Sequence, residues 1–259
     1  MSLFRGLLLL LIASGAFFGL GSFVLPTQFA QATGFAGRDV FVYRLAGAAT
    51  FAYAVGFAAG FRSGWAALRI PIAGTAVFNI GSIGACLVAI IGGGAQPIVF
   101  LILLASVVFT AATGYFLARP PVFIEDDPRP GDDSHSLAPW VTTLFAVGTL
   151  AAAFFGLAAL IPAGAFGYAM GYSGTDDFVY RQAGAATLGA AVGGVLVLMS
   201  RRWESARIPT RMAVTFNAMS AVAAILEIAN GGQPIAWLIL VAAGVVTVGA
   251  SVAILREGR

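Results

Sequence analysis

Residues 41–50 read FVYRLAGAAT and residues 178–187 read FVYRQAGAAT, so nine of ten positions are identical at an offset of 137. Shorter matches continue this register on both sides, at offsets of 137 or 138. They pair AFFGL at 16–20 with 153–157, RIP at 69–71 with 207–209, FN at 78–79 with 216–217, and QPI at 96–98 with 233–235. A shared register of this length predicts a tandem duplication.

The composition is that of a membrane protein. Apolar residues make up 59% of the 259 residues, and charged residues only 10%, against about 25% in a soluble domain. This excludes a soluble domain, a disordered chain and a free nucleic-acid binder. Eight apolar segments have the length that a membrane span needs: 6–25, 40–61, 70–91, 98–118, 140–161, 178–200, 208–229 and 235–255. We predict an all-α integral membrane protein with eight transmembrane helices in two four-helix repeats.

The first apolar segment has two interpretations. Arg5, the apolar run and Ala30-Gln31-Ala32 resemble a secretory signal with a small-residue cleavage site. The run is long for a signal, however, and its counterpart in the duplication is the fifth segment. These two facts favour a retained transmembrane helix.

The arginines predict the orientation. With the N-terminus in the cytoplasm, eleven arginines lie on the inner side and three on the outer side. The inner set is Arg5, Arg62, Arg69, Arg119, Arg129, Arg201, Arg202, Arg207, Arg211, Arg256 and Arg259; the outer set is Arg38, Arg44 and Arg181. Because inner loops are enriched in Arg and Lys, we predict a multi-pass protein of a bacterial cytoplasmic (inner) membrane with both termini in the cytoplasm. Trp65, Trp140, Trp203 and Trp237 fall near predicted helix ends, as in an aromatic belt.

Each predicted half contains four spans. Both halves therefore enter the membrane from the same side and are parallel, related by a pseudo-two-fold axis along the membrane normal. The predicted domains are a first repeat at 1–118 and a second at 139–259. Residues 119–138 between them are acidic and proline-rich, which is typical of an extended cytoplasmic linker.

The chain offers few residues for a metal or cofactor. Cys86 is its only cysteine and His135 its only histidine, and His135 falls in the linker. The sequence thus predicts no membrane-embedded haem or metal site and no cofactor. Asp132 and Asp133 beside His135 resemble metal ligands, but a solvated linker is the favoured interpretation.

Polar residues recur at equivalent positions near the predicted outer ends of the helices. They are Asp39, Tyr43, Arg44 and Gln96 in the first half, and Asp176, Asp177, Tyr180, Arg181, Glu227 and Gln233 in the second. Asp177 and Arg181 have the i,i+4 spacing of a helical ion pair, and Glu227 is a second candidate partner for Arg181. A cluster of this kind in each half predicts either an anion or headgroup site around the arginine or a structural salt bridge. We favour the structural interpretation.

A second polar set lies deeper in the predicted helices. Asn79 and Asn217 come about nine residues into their segments, roughly 14 Å along the helix, and Thr50 and Thr187 reach a similar depth. These side chains need hydrogen-bond partners in the membrane. They are expected either to line a polar path or to bond a neighbouring helix, and we favour the interhelical bond.

No catalytic or phosphate-binding motif is found in the sequence. We therefore favour a non-enzymatic binding or accessory subunit of a membrane assembly, whose partners are the lipid bilayer and either other membrane subunits or copies of this chain. The alternative is a transporter or channel for a small solute, anionic or uncharged, along the repeat interface. Val40 of the first repeat occupies the position that Asp177 occupies in the second. Arg211 and Glu227 of the second repeat align with alanines of the first. An asymmetric function is therefore expected in the second repeat.

Overall fold

The computed structural model describes residues 3–37, 39–121, 135–172 and 176–257. These residues form ten helices: α1 (Leu3–Val24), α2 (Pro26–Thr33), α3 (Val40–Gly60), α4 (Trp65–Ile91), α5 (Pro97–Ala118), α6 (Pro139–Leu160), α7 (Ala163–Ala169), α8 (Asp177–Ser200), α9 (Trp203–Ala229) and α10 (Ile235–Glu257). Eight of the ten, all except α2 and α7, are long and apolar enough to cross a bilayer. The chain is therefore a polytopic, multi-pass membrane protein whose surroundings are lipid.

Helices α4 and α9 begin five residues before their predicted first residues, at Trp65 and Trp203. Pro71 and Pro209, expected in the first helical turn, lie inside these helices. A proline inside a helix removes one backbone hydrogen bond, which transmembrane helices tolerate when neighbouring groups replace it. The predicted starts at residues 70 and 208 were wrong because they made each proline the second residue of its helix, where its missing N–H is not needed.

One short helix follows the first long helix of each predicted half, α2 after α1 and α7 after α6. The predicted spans left both segments outside a helix. Helix α2 starts at Pro26, ends at Thr33 and is capped by Gly34, whose φ of 83° is the left-handed conformation of a helix C-cap. Of the stretch that resembles a cleavage site, Ala30 is completely buried, whereas Gln31 and Ala32 are exposed. Helix α7 follows α6 in the same way.

Four helices form the centre of the bundle. Helix α3 packs on α9, and α4 packs on α8; α3 also touches α8. Around them, α1 packs on α3, α6 on α8, α5 on α4 and α10 on α9. In the apolar 18-residue stretch of α3, 61% of the residues are buried, whereas in that of α6 only 11% are buried. The peripheral helices thus expose apolar side chains of the kind that lipid or another membrane protein covers.

Close glycine contacts join the outer and central helices. A methyl group on Gly47 of α3 would lie 2.6 Å from the carbonyl oxygen of Gly19 in α1. A methyl group on Gly184 of α8 would lie 2.8 Å from the carbonyl oxygen of Gly156 in α6. Only glycine permits these approaches, which bring the helix backbones into direct contact.

One of the four tryptophans departs from the expected aromatic belt. Trp203 is 2% exposed and packs in a core cluster with Val141 and Ala253, so its ring is covered by protein and does not contact lipid. Trp140 and Trp237 are exposed, at 38% and 61%.

The end of the predicted linker is attached to the turn between α8 and α9. The backbone N–H of Leu137 donates to the carbonyl of Arg201 at 2.9 Å, and that of Trp203 donates to the carbonyl of His135 at 3.1 Å. The His135 ring also contacts Glu257, with 2.8 Å between Nε2 and Oε2. Five residues of the sequence analysis lie outside the described residues: Arg38, Arg129, Asp132, Asp133 and Arg259.

Candidate functional site

Two tyrosine–aspartate hydrogen bonds join the first turns of α3 and α8. The hydroxyl of Tyr43 donates to Oδ2 of Asp176 at 3.0 Å. The hydroxyl of Tyr180 donates to Oδ2 of Asp39 at 2.9 Å. Each tyrosine thus reaches the aspartate that immediately precedes the other helix, so the polar clusters are shared between the two parts of the chain.

Both carboxylates receive further hydrogen bonds. Asp39, only 2% exposed, caps α3 by accepting from the backbone N–H of Val42 at 3.1 Å. Asp176 accepts from the backbone N–H of Gly37 at 3.0 Å. Tyr172 packs edge-on against Tyr180, with ring centroids 5.7 Å apart. Burial and, to a smaller extent, the Asp39 carboxylate raise the pKa of Tyr172 above its ordinary value.

The two equivalent arginines have different surroundings. Arg181 forms the expected i,i+4 ion pair with Asp177, with 3.7 Å between Nη1 and Oδ2. Arg44 was expected to have a partner as well, but among the described residues it forms no ion pair, and its buried Nε has no hydrogen-bond partner. Glu227 does not pair with Arg181; its Oε1 accepts from the backbone N–H of Gln233 at 3.3 Å.

Gln96 and Gln233 precede the last helix of each predicted half. Gln96 is the N-cap residue of α5 and makes no side-chain capping bond. Its Oε1 lies close to Gly34, where a methyl group would be 2.7 Å away. Gln96 therefore joins α5 to the turn after α2, while Gln233 belongs to the turn between α9 and α10.

Two separate cavities lie beside the central helices. Cavity 1, about 150 Å³, lies between α1, α3, α4 and α5, and Thr50, Asn79 and Ser82 line it. Cavity 2, about 350 Å³, lies between α6, α8, α9 and α10 with parts of α3 and α4, and Thr187, Asn217 and Ser220 line it. The deeper polar set therefore divides between the two cavities, two predicted residues in each.

These deeper side chains bond their own helices, contrary to the expected interhelical bonds. The Nδ2 of Asn79 donates to the carbonyl of Thr75, and that of Asn217 donates to the carbonyl of Ala213, both at 2.8 Å. The hydroxyls of Thr50 and Thr187 likewise donate to carbonyls four residues earlier. A helix can satisfy such donors locally, an option that the sequence argument did not weigh.

The charged residues of the predicted clusters are not among the residues that line these cavities. The two tyrosines are: Tyr43 lines cavity 1 and Tyr180 lines cavity 2. The apparent common site in the sequence is therefore two features, a hydrogen-bonded cluster at the helix starts and a pair of cavities below it.

Sequence reasoning missed the contact between the central helices. The hydroxyl of Tyr53 in α3 donates to the carbonyl of Ala186 in α8 at 2.9 Å. A methyl group on Gly74 of α4 would lie 2.8 Å from the carbonyl oxygen of Gly189 in α8. The only signal for this contact was a small residue within an apolar segment, which is common in membrane helices.

Sequence reasoning also missed Ser82, Gln182 and Ser220. Ser82 donates to Oε1 of Gln182 at 2.6 Å, and Ser220 lines cavity 2. Gln182 had a visible signal, because it is the one residue of FVYRQAGAAT that differs from its counterpart.

Compared with protein-family models, curated proteins and solved structures, the chain matches none of them. Among the described residues, no group of three or more His, Cys, Asp or Glu side chains is placed to hold a metal ion.

Proposed function

We propose that this chain is a non-enzymatic binding subunit of a bacterial inner-membrane assembly, built from two parallel four-helix repeats with both termini in the cytoplasm. The repeats comprise residues 1–118 and 139–259, and 119–138 connect them. In this proposal the chain holds a ligand or a neighbouring subunit within the membrane and conducts no solute across it.

The reciprocal hydrogen bonds support the repeat and its orientation. Asp39 and Tyr43 occupy the positions of Asp176 and Tyr180, 137 residues later, and each tyrosine bonds the aspartate of the other pair. A two-fold axis between α3 and α8 produces such an exchange, provided that both helices start on the same side of the membrane. The helix packing has the same symmetry. In the repeat, α8 is the counterpart of α3 and α9 that of α4, so the α3–α9 contact and the α8–α4 contact are equivalent.

One observation favours binding over conduction: the helices are tightly packed where a path between the repeats would have to run. The α4 and α8 backbones touch at Gly74 and Gly189, and Tyr53 bonds the backbone of α8 at Ala186. This contact lies between the two cavities, because Tyr53 lines both of them and the two glycines and Ala186 line cavity 2. A channel or transporter along the repeat interface requires an opening there.

The charged cluster supports a structural role rather than an anion site. Its aspartates accept hydrogen bonds from tyrosines and backbone N–H groups, and Arg181 pairs with Asp177. These contacts fasten the starts of α3 and α8 together. Transport of an anionic solute, one form of the alternative, would need a positive group in a cavity, and neither cavity has an arginine among its described lining residues.

Native mass spectrometry tests the proposal on protein extracted gently from its own membrane. We expect the chain to appear with a second protein at fixed stoichiometry, because the exposed apolar faces of α5, α6 and α10 offer a large surface for a membrane partner. The exposed-face variant Leu150→Trp, on α6 where Leu150 is 72% exposed, tests whether that face is the contact. A chain recovered always as a lone monomer, at every detergent concentration, contradicts the subunit proposal.

A further inference from the structure

Cavity 2 contains buried hydroxyl groups that have no hydrogen-bond partner. Ser220 is 2% exposed, lines the cavity, and its Oγ has no partner among the described residues. The Oγ1 of Thr149 in α6, which also lines the cavity, is likewise buried and has no partner among the described residues. An unpaired buried hydroxyl destabilises a protein, and such groups usually meet water or a ligand.

The corresponding serine of cavity 1 is satisfied by the protein. Ser82, which stands 138 positions before Ser220, donates to Gln182 at 2.6 Å. Gln182 has Leu45 as its counterpart 137 positions earlier, and Leu45 lines cavity 2. The single mismatch in the ten-residue repeat therefore gives Ser82 a hydrogen-bond acceptor, Gln182, whereas Ser220 has the apolar Leu45 in the equivalent place.

The side chains around cavity 1 are also larger than their counterparts around cavity 2. Phe109 lines cavity 1, and beside it Phe4 packs on Phe116 with ring centroids 4.9 Å apart. The residues 137 positions after these three phenylalanines are Val141, Val246 and Ala253, all of which line cavity 2. Smaller side chains thus occupy these three positions in the second half, which agrees with the larger volume of cavity 2, about 350 Å³ against about 150 Å³ for cavity 1.

We propose that cavity 2 binds one uncharged, largely apolar molecule with a carbonyl oxygen that accepts a hydrogen bond from Ser220. This inference rests on the proposed repeat and names the ligand class of the proposed binding subunit. The volume falls within the range of small-molecule sites, about 300–1,000 Å³. The described lining has no charged side chain, so a charged ligand would be unpaired there. Ser220 and Thr149 both have a hydroxyl donor available, which selects a ligand with an oxygen acceptor.

Benzophenone is a suitable probe because it is uncharged and apolar, has one carbonyl, and inserts into nearby C–H bonds when irradiated. The full-length protein in lipid nanodiscs is equilibrated with carbonyl-¹³C benzophenone, and infrared spectroscopy reads the C=O stretch. Irradiation and peptide mapping then locate the adduct. We expect label on α6, α9 and α10, and a C=O band shifted by hydrogen bonding.

Three variants assign the effect to Ser220. Ser220→Ala should remove the shifted band and weaken binding about three- to tenfold, the effect of one hydrogen bond. Leu45→Gln should give Ser220 a partner of the kind that Ser82 has, and reduce labelling of cavity 2 at least as much. Ser82→Ala is the matched control and should leave both the band and the label unchanged. Thermal unfolding in detergent confirms that each variant is folded.

Two results overturn the inference: label spread over lipid-facing residues only, or a shifted band that persists in Ser220→Ala. Because Ser220→Ala removes a single unpaired hydroxyl, it tests the inference even if Leu45→Gln does not fold. The subunit proposal has a separate readout. If native mass spectrometry finds a partner protein while cavity 2 is not labelled, only the ligand inference fails; if cavity 2 is labelled but the chain is always alone, only the subunit proposal fails.

Discussion

Tyr180 donates a 2.9 Å hydrogen bond to Asp39, a residue 141 positions away in the sequence. The equivalent tyrosine, Tyr43, donates to Asp176 at 3.0 Å. Together they exchange contacts between the starts of α3 and α8, the two helices that carry the repeated stretch. This exchange is the observation on which our account of two same-orientation repeats depends.

Tyr180→Phe should destabilise the protein more than Tyr43→Phe does. Asp39 is 2% exposed, so loss of the Tyr180 hydroxyl withdraws a donor from a buried carboxylate, at a cost of about 1–3 kcal/mol. Each aspartate keeps a backbone donor, the Val42 N–H on Asp39 and the Gly37 N–H on Asp176, but Asp176 is less buried. The apparent melting temperature in detergent measures the difference. Tyr168→Phe, at a residue that is 88% exposed, is the control, and equal losses for all three variants contradict the prediction.

Local patterns predicted most of the helices. Apolar length identified all eight long helices, and six of them begin within about three residues of the expected position. The starts of α4 and α9 were missed because proline tolerance inside a transmembrane helix depends on neighbouring groups. Helices α2 and α7, eight and seven residues long, are too short to produce an apolar segment of their own.

Gly74→Ala should loosen the contact between α4 and α8. The added methyl group would lie 2.8 Å from the carbonyl oxygen of Gly189, a rigid backbone atom, and overpacking of this kind costs about 1–3 kcal/mol. Gly84→Ala is a matched control in the same helix, where the methyl group meets nothing within 4 Å. A melting temperature of Gly74→Ala equal to that of Gly84→Ala would mean that the helices do not touch there.

Ser220→Ala and Ser82→Ala should have opposite effects on ligand-free protein. The Ser220 hydroxyl is buried without a partner, so its removal should leave stability unchanged or raise it by up to about 1 kcal/mol. Ser82→Ala breaks a 2.6 Å bond to Gln182 and should lower stability by about 0.5–1.5 kcal/mol. Thermal unfolding of delipidated protein compares them. The prediction is wrong if Ser220→Ala is the more destabilising variant.

Arg181→Ala should lower stability slightly more than Arg202→Ala. Arg181 pairs with Asp177 at 3.7 Å, but the Asp177 side chain is 46% exposed, so the ion pair contributes less than about 1 kcal/mol. Arg202 is exposed and has no ion pair among the described residues. Melting temperatures at low and high salt check this, because screening should reduce the difference. A difference that does not respond to salt would contradict the electrostatic origin.

The candidate site was less predictable than the helices. Periodicity places Tyr43 and Asp39 near each other along one helix, but it cannot say that the tyrosine bonds the aspartate of another helix. Asn79 and Asn217 were assigned the wrong partner, since a carbonyl four residues earlier in the same helix satisfies each. They also lie fourteen residues beyond the starts of α4 and α9, not about nine. Cavity size depends on side chains from several helices at once, so it cannot be predicted from the sequence of any one segment.

The most direct test of a binding subunit without a conduction path is cysteine accessibility at the two asparagines. In a Cys86→Ala background, Asn79→Cys and Asn217→Cys are each treated with a charged, membrane-impermeant thiol reagent from either side, and with uncharged N-ethylmaleimide. We predict protection of both positions from the charged reagent, and faster reaction of position 217 than of position 79 with N-ethylmaleimide, because cavity 2 is larger. Reaction of both positions with the charged reagent would reveal a continuous aqueous path and contradict the account.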